Sequence, residues 1–138
     1  MGSQFETLGE SAHESSHCLR FEIPYPEMTQ ASNLPYNQAM VSIVWEFRVQ
    51  EGREQEFELL YNSEGLWAIL FRSSPAYHGT KLLRDTDGTR RYLTIDRWHT
   101  MLDFQQFKQM FQSEYKAIDE KCEEFTESER LVGIFEEI

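Results

Sequence analysis

Two side chains in this sequence are suited to proton transfer near neutral pH. His78 opens a β-rich segment, and with His99 it is one of two histidines beyond residue 40. An imidazole that titrates near neutrality can take the proton of a phenol, and the resulting phenolate is electron-rich enough to react with molecular oxygen without a metal. Tyr92 is the second proton-handling candidate. A histidine at a strand end also serves simply as a hydrogen-bonding group, and residue type alone leaves both roles open for His78.

Six rings could form the walls around such chemistry. Trp45, Trp67, Phe71, Phe107, Phe111 and Tyr115 are spaced so that a sheet and its helices bring them together. A planar aromatic ligand suits that lining, because stacked rings gain dispersion and quadrupole energy while apolar walls exclude water. The same stripes also fill an ordinary core. Asp96 and Arg97 suggest an acid and an anion clamp, yet adjacent strand residues point to opposite faces, so ion pairs with Arg84 or Arg48 are expected of them instead. His13, His17 and Cys18 have metal-site spacing but want a fourth ligand. Ser73 and Ser74 lack a nucleophile elbow, and neither glycine-rich phosphate loops nor paired-cysteine motifs occur.

The elements that must position these residues are legible from periodicity. Val41, Ile43, Trp45, Phe47 and Val49 alternate with mostly polar residues, the period of a strand with one apolar face. Glu51-Gly52 turns the chain into a helix over Arg53 to Tyr61, and Ser63 is expected to cap a second, ending at Ser73-Ser74-Pro75. Residues 77–85 and 91–98 are strands flanking Thr86-Asp87-Gly88-Thr89, where Asp-Gly suits a tight hairpin. Thr100 and Asp103 form a capping box for a long helix in which Phe104, Phe107, Phe111, Tyr115, Ile118 and Cys122 recur in steps of three and four. That helix should fray near 126–129, after which 131–136 reads as a final strand.

This β-α-β-β-α-β order predicts a ferredoxin-like α+β domain over 40–138, an antiparallel sheet with helices on one face. On the second hairpin strand, Leu93 and Ile95 are expected to meet the helices and Tyr92, Thr94, Asp96 and Trp98 the other side, or the reverse. Either assignment leaves apolar area on the bare face, so a second copy joined sheet to sheet is expected, burying ~800 Å² per partner.

Composition narrows the partners. With 40% apolar and 14% aromatic residues the chain of 138 can bury a core without disulfides. Its 24 acidic and 13 basic residues give a formal charge of −11, which repels nucleic acid and anionic membranes. No apolar run approaches the ~18 residues of a membrane span and no secretory leader is visible, so a cytoplasmic protein with two free thiols, Cys18 and Cys122, is expected. Residues 1–39 hold five acids against Arg20 and every proline except Pro75; Met-Gly-Ser reads as a cloning remnant. A poorly structured N-terminal extension is expected there, with Leu19 to Ile23 able to lie along a sheet edge.

The stretch Ile43-Val44-Trp45-Glu46-Phe47-Arg48-Val49 leading into Glu51-Gly52-Arg53, then Tyr77-His78-Gly79-Thr80 and Tyr92-Leu93-Thr94-Ile95-Asp96-Arg97-Trp98, resembles the antibiotic biosynthesis monooxygenase domain of the dimeric α+β barrel superfamily. The resemblance covers about residues 40–137. It implies a homodimer joined through its sheets, a pocket between each sheet and its own helices, and a monooxygenase acting on a small aromatic, phenolic or quinol substrate. No cofactor is implied beyond oxygen as co-substrate. On that basis Trp45 and Trp67 line the pocket and His78 or Tyr92 handles protons; a non-catalytic dimeric small-molecule binding or stress-related domain of the same fold is the alternative. The family's haem-degrading branch uses a first-strand asparagine, a tryptophan on the long helix and, further along it, a histidine. Alignment through Gly52, Trp98 and Tyr115-Lys116-Ala117 puts Trp45, Phe107 and Asp119 there, so the usual proximal imidazole is missing and haem degradation is not expected.

Overall fold

The computed structural model describes residues 39–138. The expectations for the extension, including a strand at Leu19 to Ile23 and the His13, His17 and Cys18 cluster, lie outside the described residues. Strand β1 (Val41–Val49) is followed by helices α1 (Glu54–Tyr61) and α2 (Leu66–Phe71), then by strands β2 (Tyr77–Arg84) and β3 (Arg91–Trp98). Helices α3 (Met101–Met110) and α4 (Gln112–Cys122), a 3-10 turn (Glu123–Phe125) and strand β4 (Thr126–Glu136) complete the order. The sheet is antiparallel and open, with strand order β2-β3-β1-β4.

Strict alternation makes β1 the spine of the core. Its five apolar residues are at most 1% exposed, while Ser42, Val44, Glu46 and Arg48 between them are half-buried on the other face. Paired residues of antiparallel strands share a face. Phe47 opposite Tyr92, Trp45 opposite Thr94, Ile43 opposite Asp96 and Val41 opposite Trp98 therefore put the second set of β3 residues under the helices. This reverses the primary expectation for β3. Leu93 and Ile95 belong to the bare face, because register with β1 overrides the apolar pattern of β3 taken alone. Asp96 and Arg97 do point to opposite faces, but Arg97 pairs with Glu137 at 2.7 Å, Arg84 with Glu58, and the Arg48 guanidinium donates to the Thr89 carbonyl.

Three local expectations change. The long helix is two helices meeting at Phe111 (φ −110°, ψ 33°), with the stripe of Phe104, Phe107, Tyr115 and Cys122 still buried. Ser63 does not cap α2; Gly65 occupies that position, where an added Cβ would lie 2.4 Å from the Leu60 carbonyl oxygen. Strand β4 begins at Thr126, not Leu131, since β1 is long enough to pair Arg48 with Ser128 and Phe47 with Glu129, with register shifts between Val44 and Trp45 and between Arg48 and Val49. Thr100 caps α3 as expected, its hydroxyl oxygen accepting from the Asp103 backbone N–H at 3.0 Å. The hairpin loop is wider than a two-residue turn. The Asp85 N–H donates to Arg91 O at 2.9 Å, the positive φ angles fall on Gly88 and Arg90, and the Asp85 carboxylate gathers the Asp87 N–H and the Thr89 hydroxyl.

The bare face carries Val44, Leu93 and Ile95 at its centre, with Leu83 and Phe135 44% and 51% exposed. Glu46 is bracketed there by Arg130 and Arg91.

Candidate functional site at the β2 edge

The six rings named from the sequence lie in the core between sheet and helices, where Trp67, Phe71, Phe107, Phe111 and Tyr115 touch one another. Trp45, Trp67, Phe71, Phe107 and Tyr115 are at most 3% exposed, and Phe111 is partly buried against them. Phe71 is the hub: its ring lies 5.8 Å from Trp67, 5.5 Å from Phe107 and from Trp98, and 6.4 Å from Tyr115. Phe111 stacks on Phe107 at 4.9 Å. Much of the space expected between them is thus taken by the rings themselves.

An open groove of about 940 Å³ lies on the helix side of the sheet at its β2 edge. Glu58, Asn62 and Ser63 of α1 and the turn after it form one wall, residues 80–86 with Gly88 the other, and Tyr92 is the lining residue shared with the sequence-based candidates. The remaining candidate base, His78, is exposed, has its ring 6.0 Å from that of His99, and is not among the lining residues.

Tyr92 enters the groove because Arg84, its β2 partner, and Phe47, its β1 partner, fix it on the helix side, where its ring lies 4.9 Å from Phe57 of α1. One residue beyond Phe57, Glu58 accepts the Tyr92 hydroxyl at 2.6 Å and the Arg84 guanidinium at 2.9 Å through the same oxygen, Oε2. Burial, and then donation to Glu58, pushes the Tyr92 phenol up to about 12, so it stays a neutral donor at any physiological pH. The Glu58 bond, followed by that of Tyr92, holds the Arg84 guanidinium above its ordinary value.

A second polar constellation reaches the groove through Thr80. The Thr80 hydroxyl donates to Asp96 Oδ1 at 2.6 Å and lies 2.5 Å from the Tyr77 hydroxyl. Asp96 is 4% exposed on the helix side, and burial raises the Tyr77 phenol. Sequence reasoning passed over Glu58, whose role depends on a partner 34 residues away. It set Asp96 aside as a salt-bridge residue, although an acid alternating with Tyr92, Thr94 and Trp98 on one strand face was the available signal. Among the described residues, no three His, Cys, Asp or Glu side chains cluster so as to hold a metal ion, and no helix is long and apolar enough to cross a membrane.

An open antiparallel sheet with all its helices on one face defines a ferredoxin-like α+β protein, with a groove between the sheet edge and its own helices. The chain belongs to the antibiotic biosynthesis monooxygenase family, whose model matches residues 40–121. Among solved structures, it is similar to SnoaB, a cofactor-independent oxygenase from Streptomyces nogalater, at 22% identity and TM-score 0.56, over 70% of this chain and 91% of that one. It is also similar to a Bordetella bronchiseptica protein provisionally named as an antibiotic biosynthesis monooxygenase, at 24% identity and TM-score 0.54, over 73% and 99%. At these identities the likeness is one of fold. No curated protein matches the chain by sequence.

Proposed function

We propose that the protein is a cofactor-independent monooxygenase that oxidises a small aromatic phenol or quinol bound in the β2-edge groove, with oxygen as co-substrate. What supports this, beyond family membership, is the Tyr92–Glu58 pair in the groove wall: a carboxylate acceptor held in place by a phenol that stays protonated and by Arg84. Glu58 accepts the substrate's phenolic proton, the electron-rich anion reduces oxygen, and loss of water from the oxygenated intermediate leaves the quinone. The substrate supplies the electrons. Along β2, Thr80 and Arg84 are four residues apart, about 13 Å of strand, a span suited to a fused polycycle. The fold of the cofactor-independent SnoaB is consistent with chemistry that needs no bound group. Two copies joined through Val44, Leu93 and Ile95 would bury the bare face, which is the expectation for the assembly.

Oxygen uptake with a panel of hydroquinones and anthrones tests the activity. Uptake that falls in Glu58→Gln and persists in His78→Ala places the base in the groove; the opposite pattern restores the histidine. One observation favours a second reading, a dimeric binding domain without turnover: five of the sequence-selected rings, Trp67, Phe71, Phe107, Phe111 and Tyr115, are occupied with one another. Ligand binding by wild type, with no oxygen uptake across the panel, would select it.

A further inference from the structure

We propose that Thr80, held in one orientation by Asp96, makes the groove a selector for ligands that present a free hydroxyl. This deepens the proposed function, resting on the groove being the ligand site, and names the feature of the substrate that is read. A hydroxyl has one proton to donate and two lone pairs to accept with. At Thr80 the proton goes to Asp96 Oδ1 at 2.6 Å. With that proton committed, the contact with the Tyr77 hydroxyl at 2.5 Å runs from tyrosine to threonine and takes one lone pair. The second lone pair is what Thr80 offers to the groove that it lines.

The orientation is enforced because a carboxylate only accepts. Asp96 is only 4% exposed, and breaking its bond with Thr80 costs more in that buried position than losing a surface hydrogen bond. Thr80 itself is 8% exposed and sits opposite Asp96 in the β2–β3 register, so the strand pairing keeps the two side chains adjacent on one face. A phenol or quinol hydroxyl therefore finds an acceptor at Thr80. A quinone carbonyl or a methyl ether at the same point faces lone pair against lone pair. The groove so holds the reduced, hydroxylated molecule and releases its oxidised counterpart.

The test compares binding of 1-naphthol and 1-methoxynaphthalene, a pair that differs in the hydroxyl proton, to the full chain by titration calorimetry, without turnover. Wild type and Thr80→Ser should prefer the naphthol about tenfold, the worth of one hydrogen bond. Thr80→Val, close in shape but without the hydroxyl, should bind the two alike through loss of naphthol affinity. Equal affinities in wild type, failure of wild type to bind either compound, or a preference that survives in Thr80→Val would each overturn the proposal. Thr80→Ser keeps the comparison decisive should the valine variant not fold: loss of preference in a folded Thr80→Ser also counts against it. Because no oxidation is read, absence of oxygen uptake would remove the monooxygenase reading and leave this result standing.

Discussion

The phenol of Tyr92 and the carboxylate of Glu58 meet at 2.6 Å across the gap between β3 and α1, tying the middle of the sheet to the first helix. Tyr92→Phe keeps the ring, which is 2% exposed, and removes only this bond. The expected cost is about 1.5–3 kcal/mol, the range for a hydrogen bond to a charged group, measured by urea unfolding at pH 7.

The same bond has an alkaline signature. The folded state raises the Tyr92 phenol from 10.0 to about 12. A group whose folded value is raised contributes its full stability below its unfolded value and loses it as pH climbs to the folded one. The stability gap between wild type and Tyr92→Phe should therefore be constant up to about pH 9 and narrow between about 10 and 12. Tyr77 is also raised but is present in both proteins, so it drops out of the difference. Urea midpoints at a series of pH values read it directly.

Phe71 touches the rings of Trp67, Tyr77, Trp98, Phe104, Phe107 and Tyr115, so no single neighbour can collapse into the space it fills. Phe71→Ala should cost about 3–5 kcal/mol, and Phe71→Leu distinctly less. Thermal unfolding of both variants provides the comparison.

Thr94 is 1% exposed, and its hydroxyl has no hydrogen-bond partner among the described residues. Replacing it with the similarly shaped valine removes a desolvated polar atom, so Thr94→Val should gain about 1 kcal/mol, opposite in sign to most core substitutions. A lower midpoint in urea would contradict this.

Ile95 lies at the centre of the bare sheet face, beside Val44 of β1 and opposite Lys81 of β2. If two copies join there, Ile95→Lys sets a second positive charge beside Lys81 at each of two symmetric positions and should shift a dimer to monomer in sedimentation at micromolar concentration. A mutant that sediments as wild type would exclude that face.

The frame was legible because it rests on local periodicity: β1, the hairpin strands and the Thr100 cap follow from residues within a few positions of one another. The face of β3 was not, since Leu93 and Ile95 are as apolar as the Tyr92 and Trp98 set and only register with β1, far earlier in the chain, decides between them. Helix continuity through Phe111 failed for a related reason: the i, i+4 stripe runs on across the break, so the pattern carries no mark of it. The aromatic candidates were correctly brought to one region, but their mutual contacts are a property of volume, which spacing does not encode. Of the groove, Tyr92 was named from the sequence, whereas Glu58, Thr80 and Asp96 depend on pairings that only the assembled sheet and helix create.

The groove runs beside β2, which is an edge strand, and its Lys81, Leu83 and Arg84 are exposed. A molecule arriving there need not wait for the aromatic core to breathe. Occupancy would be set by encounter and departure, with association free of a slow gating step, and the charged side chains that receive the visitor also discourage another chain from zippering onto the same edge.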